Sequence, residues 1–169
     1  MGIDAALIDA QRGLRAVERR EREFGILLAE HFGPIDYQHV YGWFASTDYG
    51  GQGDYSHYEL LGGEEAWRGA MQGLEDDGVR AGLYLDPLLM DEKAQAAEMA
   101  RPWRMLGADG EVRGWSAGDF YTCAAVPECR RYWADTYERV GRTFPVSGLY
   151  MDQVGYFNPD PWVCYNPEH

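Results

Sequence analysis

Two short stretches of the chain end on a carboxylate in the same way. Gly82-Leu83-Tyr84-Leu85-Asp86 and Gly148-Leu149-Tyr150-Met151-Asp152 both read Gly-Leu-Tyr-x-Asp. The apolar residues ahead of each Asp have the composition of a buried strand, so each carboxylate falls where a strand finishes. In parallel α/β architectures, ligands bind at the carboxyl ends of the strands. A carboxyl group there is held by rigid sheet, and cleavage of a glycosidic bond needs such a group as nucleophile or acid/base, with a second one across the scissile bond. Asp152 is the first candidate for that work, as nucleophile or as acid/base; the plain alternative is a helix cap or a loop anchor. Asp86 precedes Pro87, which suits a turn, so a sugar-hydroxyl contact or a plain structural hydrogen bond fits it as well as catalysis does. Tyr84, Tyr150 and Gln153 flank these two positions and are candidates for substrate contact.

A second group of polar and aromatic residues, Asp48, Tyr49, Asp54, Tyr55, His57 and Tyr58, lies in a Gly-rich stretch at 46–63 that reads as a long loop. Aromatic platforms interleaved with hydrogen-bonding groups suit a saccharide, which presents apolar faces and hydroxyl edges, and Asp48 and His57 are the candidate contacts. The same mixture is common in solvated loops. Trp43 reads as core first and as a substrate platform second. Across the chain, six Trp and twelve Tyr serve either use.

The formal net charge of −13 excludes a nucleic-acid partner, whose phosphates demand a Lys/Arg surface. A neutral carbohydrate is not repelled. Cys123, Cys129 and Cys164 have neither CxxC nor Cys/His ligand spacing, so no metal is expected, and no cofactor motif of the GxGxxG, P-loop, GxSxG or HExxH kind occurs. The amino-terminal sequence lacks a basic start followed by an apolar run, and no stretch reaches the length of a membrane span. No membrane partner is therefore expected, and a cytoplasmic location is the default.

The elements that must position these residues alternate. Apolar spacing of three and four predicts helix over 5–31, 64–77 and 127–142, and branched or aromatic runs predict strands over 39–45, 79–86 and 146–152. Between 87 and 126 lies an elaborated connection, with a short helix near 93–100 and a hairpin around Asp109-Gly110. Helix and strand in this order belong to βα units around a parallel sheet. The expectation is an α/β fold, a partial (β/α)8 barrel of about three parallel strands with intervening helices, in which 1–36 is an N-terminal helical segment and 37–169 the partial barrel. The chain's 169 residues fall short of the roughly 250 of a closed barrel, so further strands are expected from the rest of a parent chain.

The succession WFASTDY, GVRAGLYLDPLLMD, YTCAAVPECRRYWADTYERV and VSGLYMDQVGYFNPDPWVCYNPEH resembles the barrel of the glycoside-hydrolase-like DUF6259 family, from about Tyr37 onward. More distantly it is similar to retaining glycosidases of the α-galactosidase type. The resemblance implies a sugar-active barrel with Asp152 as nucleophile and the partner acid on a later strand outside this chain. It also implies that Cys164 and His169 begin a family segment that follows the Tyr-x-Asp-Gln strand, making His169 a substrate-contact candidate. Where the family tends to carry Tyr-x-Asn, this chain has Tyr84-Leu85-Asp86. Two other classes stay open: a barrel that binds sugar without cleaving it, and a self-contained α/β scaffold or interaction module.

Overall fold

The computed structural model describes residues 33–154 and 163–169. The helix expected at 5–31 lies outside them. Three parallel strands form one sheet in the order β1 (Tyr37–Val40), β2 (Arg80–Leu85), β5 (Gly148–Met151). Helix α1 (Glu64–Asp76) connects the first two strands, and α3 (Pro127–Thr143) precedes the third. Between them, β3 (Leu89–Asp91) and β4 (Asp119–Tyr121) pair antiparallel in a separate two-stranded sheet, with α2 (Ala97–Ala100) in the intervening chain. The architecture is that of a partial α/β barrel with an elaborated connection after its second described strand.

Local sequence explains the boundaries. Helix α1 opens with Glu64 and Glu65, whose charges favour the helix dipole. It closes where Gly78 takes φ 79° and the Gly78 and Val79 N–H groups donate to Glu75 and Leu74 carbonyls, the paired bonds of a Schellman motif. Pro127 occupies the first turn of α3, and Cys129, Trp133, Thr136 and Val140 recur along its buried face. Strand β2 is buried from Ala81 onward because β1 and β5 pair with its two edges and helices and loops cover its faces.

Two expectations are corrected. The first strand ends at Val40 rather than continuing to 45, because Gly42 at φ 71° turns the chain and drops Trp43 and Phe44 into the core. The short helix begins at Ala97 rather than near 93, because the Gln95 and Ala96 N–H groups already donate to the Asp54 carboxylate at 2.7 and 3.1 Å. The expected hairpin is present as a turn at Asp109-Gly110, where Leu106 bridges Val112 and Gly110 has φ 81°. Among the described residues, no helix is long and apolar enough to cross a membrane.

The core is aromatic. Trp43 stacks between Tyr58 and Trp67, meets Phe44 and Phe144 edge-on, and donates from its indole Nε1 to the Tyr84 carbonyl at 2.9 Å. That bond ties the turn after β1 to the middle of β2.

Candidate functional site

Side chains alternate across a strand, and the register fixes which of them share a face. His39 pairs with Gly82 and Gly82 with Gly148; Tyr84 pairs with Tyr150. Alternation therefore lines one face with Tyr37, His39 and Tyr41 from β1 and its extension, Gly82, Tyr84 and Asp86 from β2, and Gly148, Tyr150 and Asp152 from β5. The opposite face carries Leu83, Leu85 and Leu149 toward the helices. The glycine that opens the first Gly-Leu-Tyr-x-Asp stretch has a steric cause. A Cβ on Gly82 would sit 1.7 Å from the Tyr37 hydroxyl, so the bare glycine lets the tyrosine ring cross the strand.

Aromatic rings form a continuous wall on this face. His39 lies 5.2 Å from Tyr150, Tyr150 stacks on Tyr84 at 5.7 Å, and Tyr41 meets Tyr84 at 4.4 Å. Tyr41 and Tyr150 keep 64% and 50% of their surface exposed, so the wall is open to a ligand.

The two carboxylates finish that wall. Asp152 continues the ladder, its N–H donating to the Leu85 carbonyl at 2.9 Å. Its carboxylate accepts the Tyr84 hydroxyl at 2.6 Å on Oδ2 and the Gln153 N–H at 2.9 Å on Oδ1. Asp86 is only 1% exposed. Its Oδ1 accepts the Leu88 N–H at 2.9 Å, whereas its buried Oδ2 has no hydrogen-bond partner among the described residues. Its backbone is clamped by the Tyr55 hydroxyl, which accepts the Asp86 N–H at 2.7 Å and lies 3.2 Å from the Asp86 carbonyl.

Burial pushes the Asp86 carboxyl up to about 6, the Leu88 N–H pulls it back, and the Asp152 charge pushes it up again. Tyr84 is driven well above the usual phenol range, first by burial and then by its bond to Asp152, so it stays protonated and keeps donating. Among the described residues, the non-glycine positions with positive φ are Tyr55 at 49° and Gln153 at 63°. One clamps Asp86 and the other follows Asp152, so backbone strain collects at both carboxylates, as it does at functional sites. Chemically, the face offers one carboxylate oriented by two donors and a second that holds its proton toward neutral pH.

The structure brings Tyr84, Asp86, Tyr150 and Asp152 together on this face, with Gln153 adjoining. It does not bring the loop candidates there. Trp43, at 2% exposure and enclosed by rings, has no free face for a sugar, so the substrate-platform reading gives way to its core role. His57 belongs to a separate network: its Nε2 lies 2.6 Å from the Tyr49 hydroxyl, which donates to Asp54 at 2.5 Å, and its Nδ1 faces Glu59 at 3.4 Å. Asp48 is exposed, and its carbonyl accepts the Lys93 ammonium. His169 sits beside Cys164 at 3.4 Å. Sequence reasoning misses His39 and Tyr41 as site residues and has Tyr55 only as one aromatic of the long loop. The first two are legible as a period-two run from Tyr37, two residues ahead of the strand start expected from sequence.

No protein-family model and no curated protein sequence matches the chain. Solved structures do match. The GH36 α-galactosidase AgaA from Geobacillus stearothermophilus, solved in complex with raffinose, superposes with a TM-score of 0.59 over 78% of this chain at 16% identity. The fold is glycosidase-like. The galactosidase domain of the α-galactosidase-sucrose kinase AgaSK gives 0.54 over 72% at 18% identity, and the α-galactosidase from Lactobacillus brevis gives 0.53 over 73% at 14%. This chain spans 17 to 18% of the length of those three chains.

Proposed function

We propose that the chain is part of a carbohydrate-active barrel protein, a retaining glycosidase that acts on O-glycosidic bonds of a poly- or oligosaccharide, with Asp152 as its nucleophile. The observation that carries this reading is the placement of Asp152 at the end of β5, with its carboxylate oriented by the Tyr84 hydroxyl at 2.6 Å and the Gln153 N–H at 2.9 Å beside an open aromatic wall. A nucleophile must be held within a few tenths of an ångström of its line of attack, and two fixed donors on a strand end supply that. Asp152 would attack the anomeric carbon and form a glycosyl-enzyme, while a second carboxyl about 5 Å away protonates the leaving oxygen. We assign that acid/base to a later barrel strand outside this chain, in keeping with the small share of the α-galactosidases that the chain spans.

Tyr41 and Tyr150 offer rings to the apolar face of a sugar, whereas Asp86, 1% exposed with its Oδ2 buried, presents no open face to a sugar hydroxyl and supports the strand end beside Asp152 instead. Gln153 would orient Asp152. The likeness in fold to a barrel solved with raffinose favours α-galactoside oligosaccharides as the first substrates to screen. The resemblance to the DUF6259 family is supported by the Tyr150-Met151-Asp152-Gln153 motif, while Tyr84-Leu85-Asp86 departs from the family's Tyr-x-Asn.

The test is Asp152→Asn in the complete parent protein, against a substrate found by screening. Turnover should fall by roughly a thousandfold or more while sugar binding persists. Retention of more than about a tenth of wild-type turnover would remove the nucleophile assignment, because only about 1.4 kcal/mol of transition-state stabilisation would have been lost.

A further inference from the structure

We propose that Cys123, Cys164 and His169 form a site for a zinc-class divalent cation, which staples the 163–169 segment to the β3–β4 lobe. Their ligand atoms all lie within 4.8 Å of one another. Linear spacing hides the group, because Cys123 follows β4 while the other two residues belong to the end of the chain.

The structure builds the convergence from both sides. The Cys123 N–H donates to the Trp103 carbonyl at 2.6 Å, which fixes the chain just past β4. The 163–169 segment is held by the Tyr165 N–H on the Leu106 carbonyl at 2.9 Å and the Asn166 side-chain amide on the Arg104 carbonyl at 3.2 Å. Asn166 then turns the chain back, its Oδ1 accepting the Glu168 N–H at 3.0 Å and its carbonyl the His169 N–H at 3.4 Å. This turn sets the His169 imidazole beside the Cys164 sulfur.

The geometry suits a tetrahedral ion. Zn–S near 2.3 Å and Zn–N near 2.05 Å put sulfur and nitrogen about 3.5 Å apart. The Cys164 Sγ to His169 Nε2 distance is 3.4 Å. Two sulfurs on the same ion would be about 3.8 Å apart, so the cluster needs to close by no more than about 1 Å. Soft thiolates with an imidazole select zinc over the oxygen-seeking magnesium and calcium. On binding, the two thiols release their protons to solvent and form two Zn–S bonds, and the neutral imidazole contributes a nitrogen lone pair. The two thiolates balance the charge of the ion.

A fourth position is open. Cys123 and Cys164 line a cavity of about 430 Å³ together with Gln153, whose buried Oε1 has no hydrogen-bond partner among the described residues. A water on the ion or that amide oxygen would complete the tetrahedron. Because Gln153 also donates its N–H to Asp152, the ion would brace the residue that follows the candidate nucleophile.

The experiment uses the 169-residue chain, reduced with a non-thiol reagent and titrated with zinc chloride against a chromophoric chelator. One equivalent should bind, and cobalt in its place should give thiolate charge-transfer absorption. Cys164→Ser and His169→Ala should each weaken zinc by more than about tenfold and remove the zinc-dependent rise in Tm. His169 is exposed and Cys164 only partly buried at the edge of the core, and far-UV circular dichroism checks that the fold is kept. Cys129→Ser, at a thiol that is not one of the three ligands, should bind as wild type does. Failure of the reduced chain to bind zinc would overturn the proposal, whether or not a Cys123–Cys164 disulfide forms in air. So would binding that Cys164→Ser and His169→Ala leave unchanged. Neither result bears on Asp152, which the parent enzyme's turnover tests separately.

Discussion

Replacing Asp86 by Asn tests the electrostatics of the site without any substrate. Asp86 is 1% exposed, and burial, opposed by the Leu88 N–H and aided by the Asp152 charge, raises it from 3.8 to about 6. Between those values the folded chain keeps a proton that the unfolded chain has lost. The unfolded state then binds fewer protons, so stability falls as pH rises through this window and the full penalty persists above it. A shift of this size corresponds to about 3 kcal/mol at pH 8 and roughly half of that at pH 5. Asn keeps the acceptor for Leu88 and cannot ionise; the cost of its unpartnered amide does not depend on pH. The stability of Asp86→Asn relative to wild type should therefore improve by roughly 1 to 2 kcal/mol from pH 5 to pH 8. Both pH values lie above the isoelectric point near 4.6, where solubility is poorest. Urea unfolding of both proteins at one low concentration reads the difference, and a carbon-detected carboxyl titration should place the Asp86 midpoint near 6. A stability relative to wild type that stays flat with pH, or that moves in favour of wild type as pH rises, would refute the claim that Asp86 is a desolvated carboxyl.

Three further outcomes are expected. Tyr84→Phe in the parent enzyme removes the 2.6 Å bond to Asp152 and should lower kcat about tenfold to a hundredfold, while urea unfolding moves by only about 1 kcal/mol; an unchanged kcat would show that the hydroxyl does not orient Asp152. Trp43→Ala empties the stack between Tyr58 and Trp67 and strands the Tyr84 carbonyl, so denaturant unfolding should record a loss of about 3 to 5 kcal/mol, and a loss below about 1 would contradict its core role. Strands β1 and β5 each have one described neighbour and expose Tyr37, Tyr150 and Met151, so light scattering on the isolated chain should detect concentration-dependent self-association; a monomer throughout would count against an open sheet edge.

Element types were legible locally because they depend on spacing and punctuation. The three-and-four recurrence of Cys129, Trp133, Thr136 and Val140 behind Pro127 marked a helix, and the apolar runs before Asp86 and Asp152 marked two parallel strands that do lie side by side. The first strand was misplaced because HVYGWFA is rich in strand formers throughout, and only the left-handed turn at Gly42 separates the paired residues from those that enter the core. Asp152 and Asp86 were visible as strand-end carboxylates. The difference between them was not: three residues of identical pattern precede each, yet Tyr55, from the long loop after β1, seals the backbone of one, while the hydroxyl of Tyr84 reaches the carboxylate of the other. His57 and Asp48 had the right chemistry in the wrong network, because a loop's path depends on which distant N–H groups its carboxylates capture, as Asp54 does with Gln95 and Ala96. The meeting of Cys123 with Cys164 and His169 was likewise beyond local reading. Periodicity reports which face of its own element a residue occupies; desolvation, hydrogen-bond partners and ligand clusters depend on which elements pack together, and that is decided only when the whole sheet and its loops close around them.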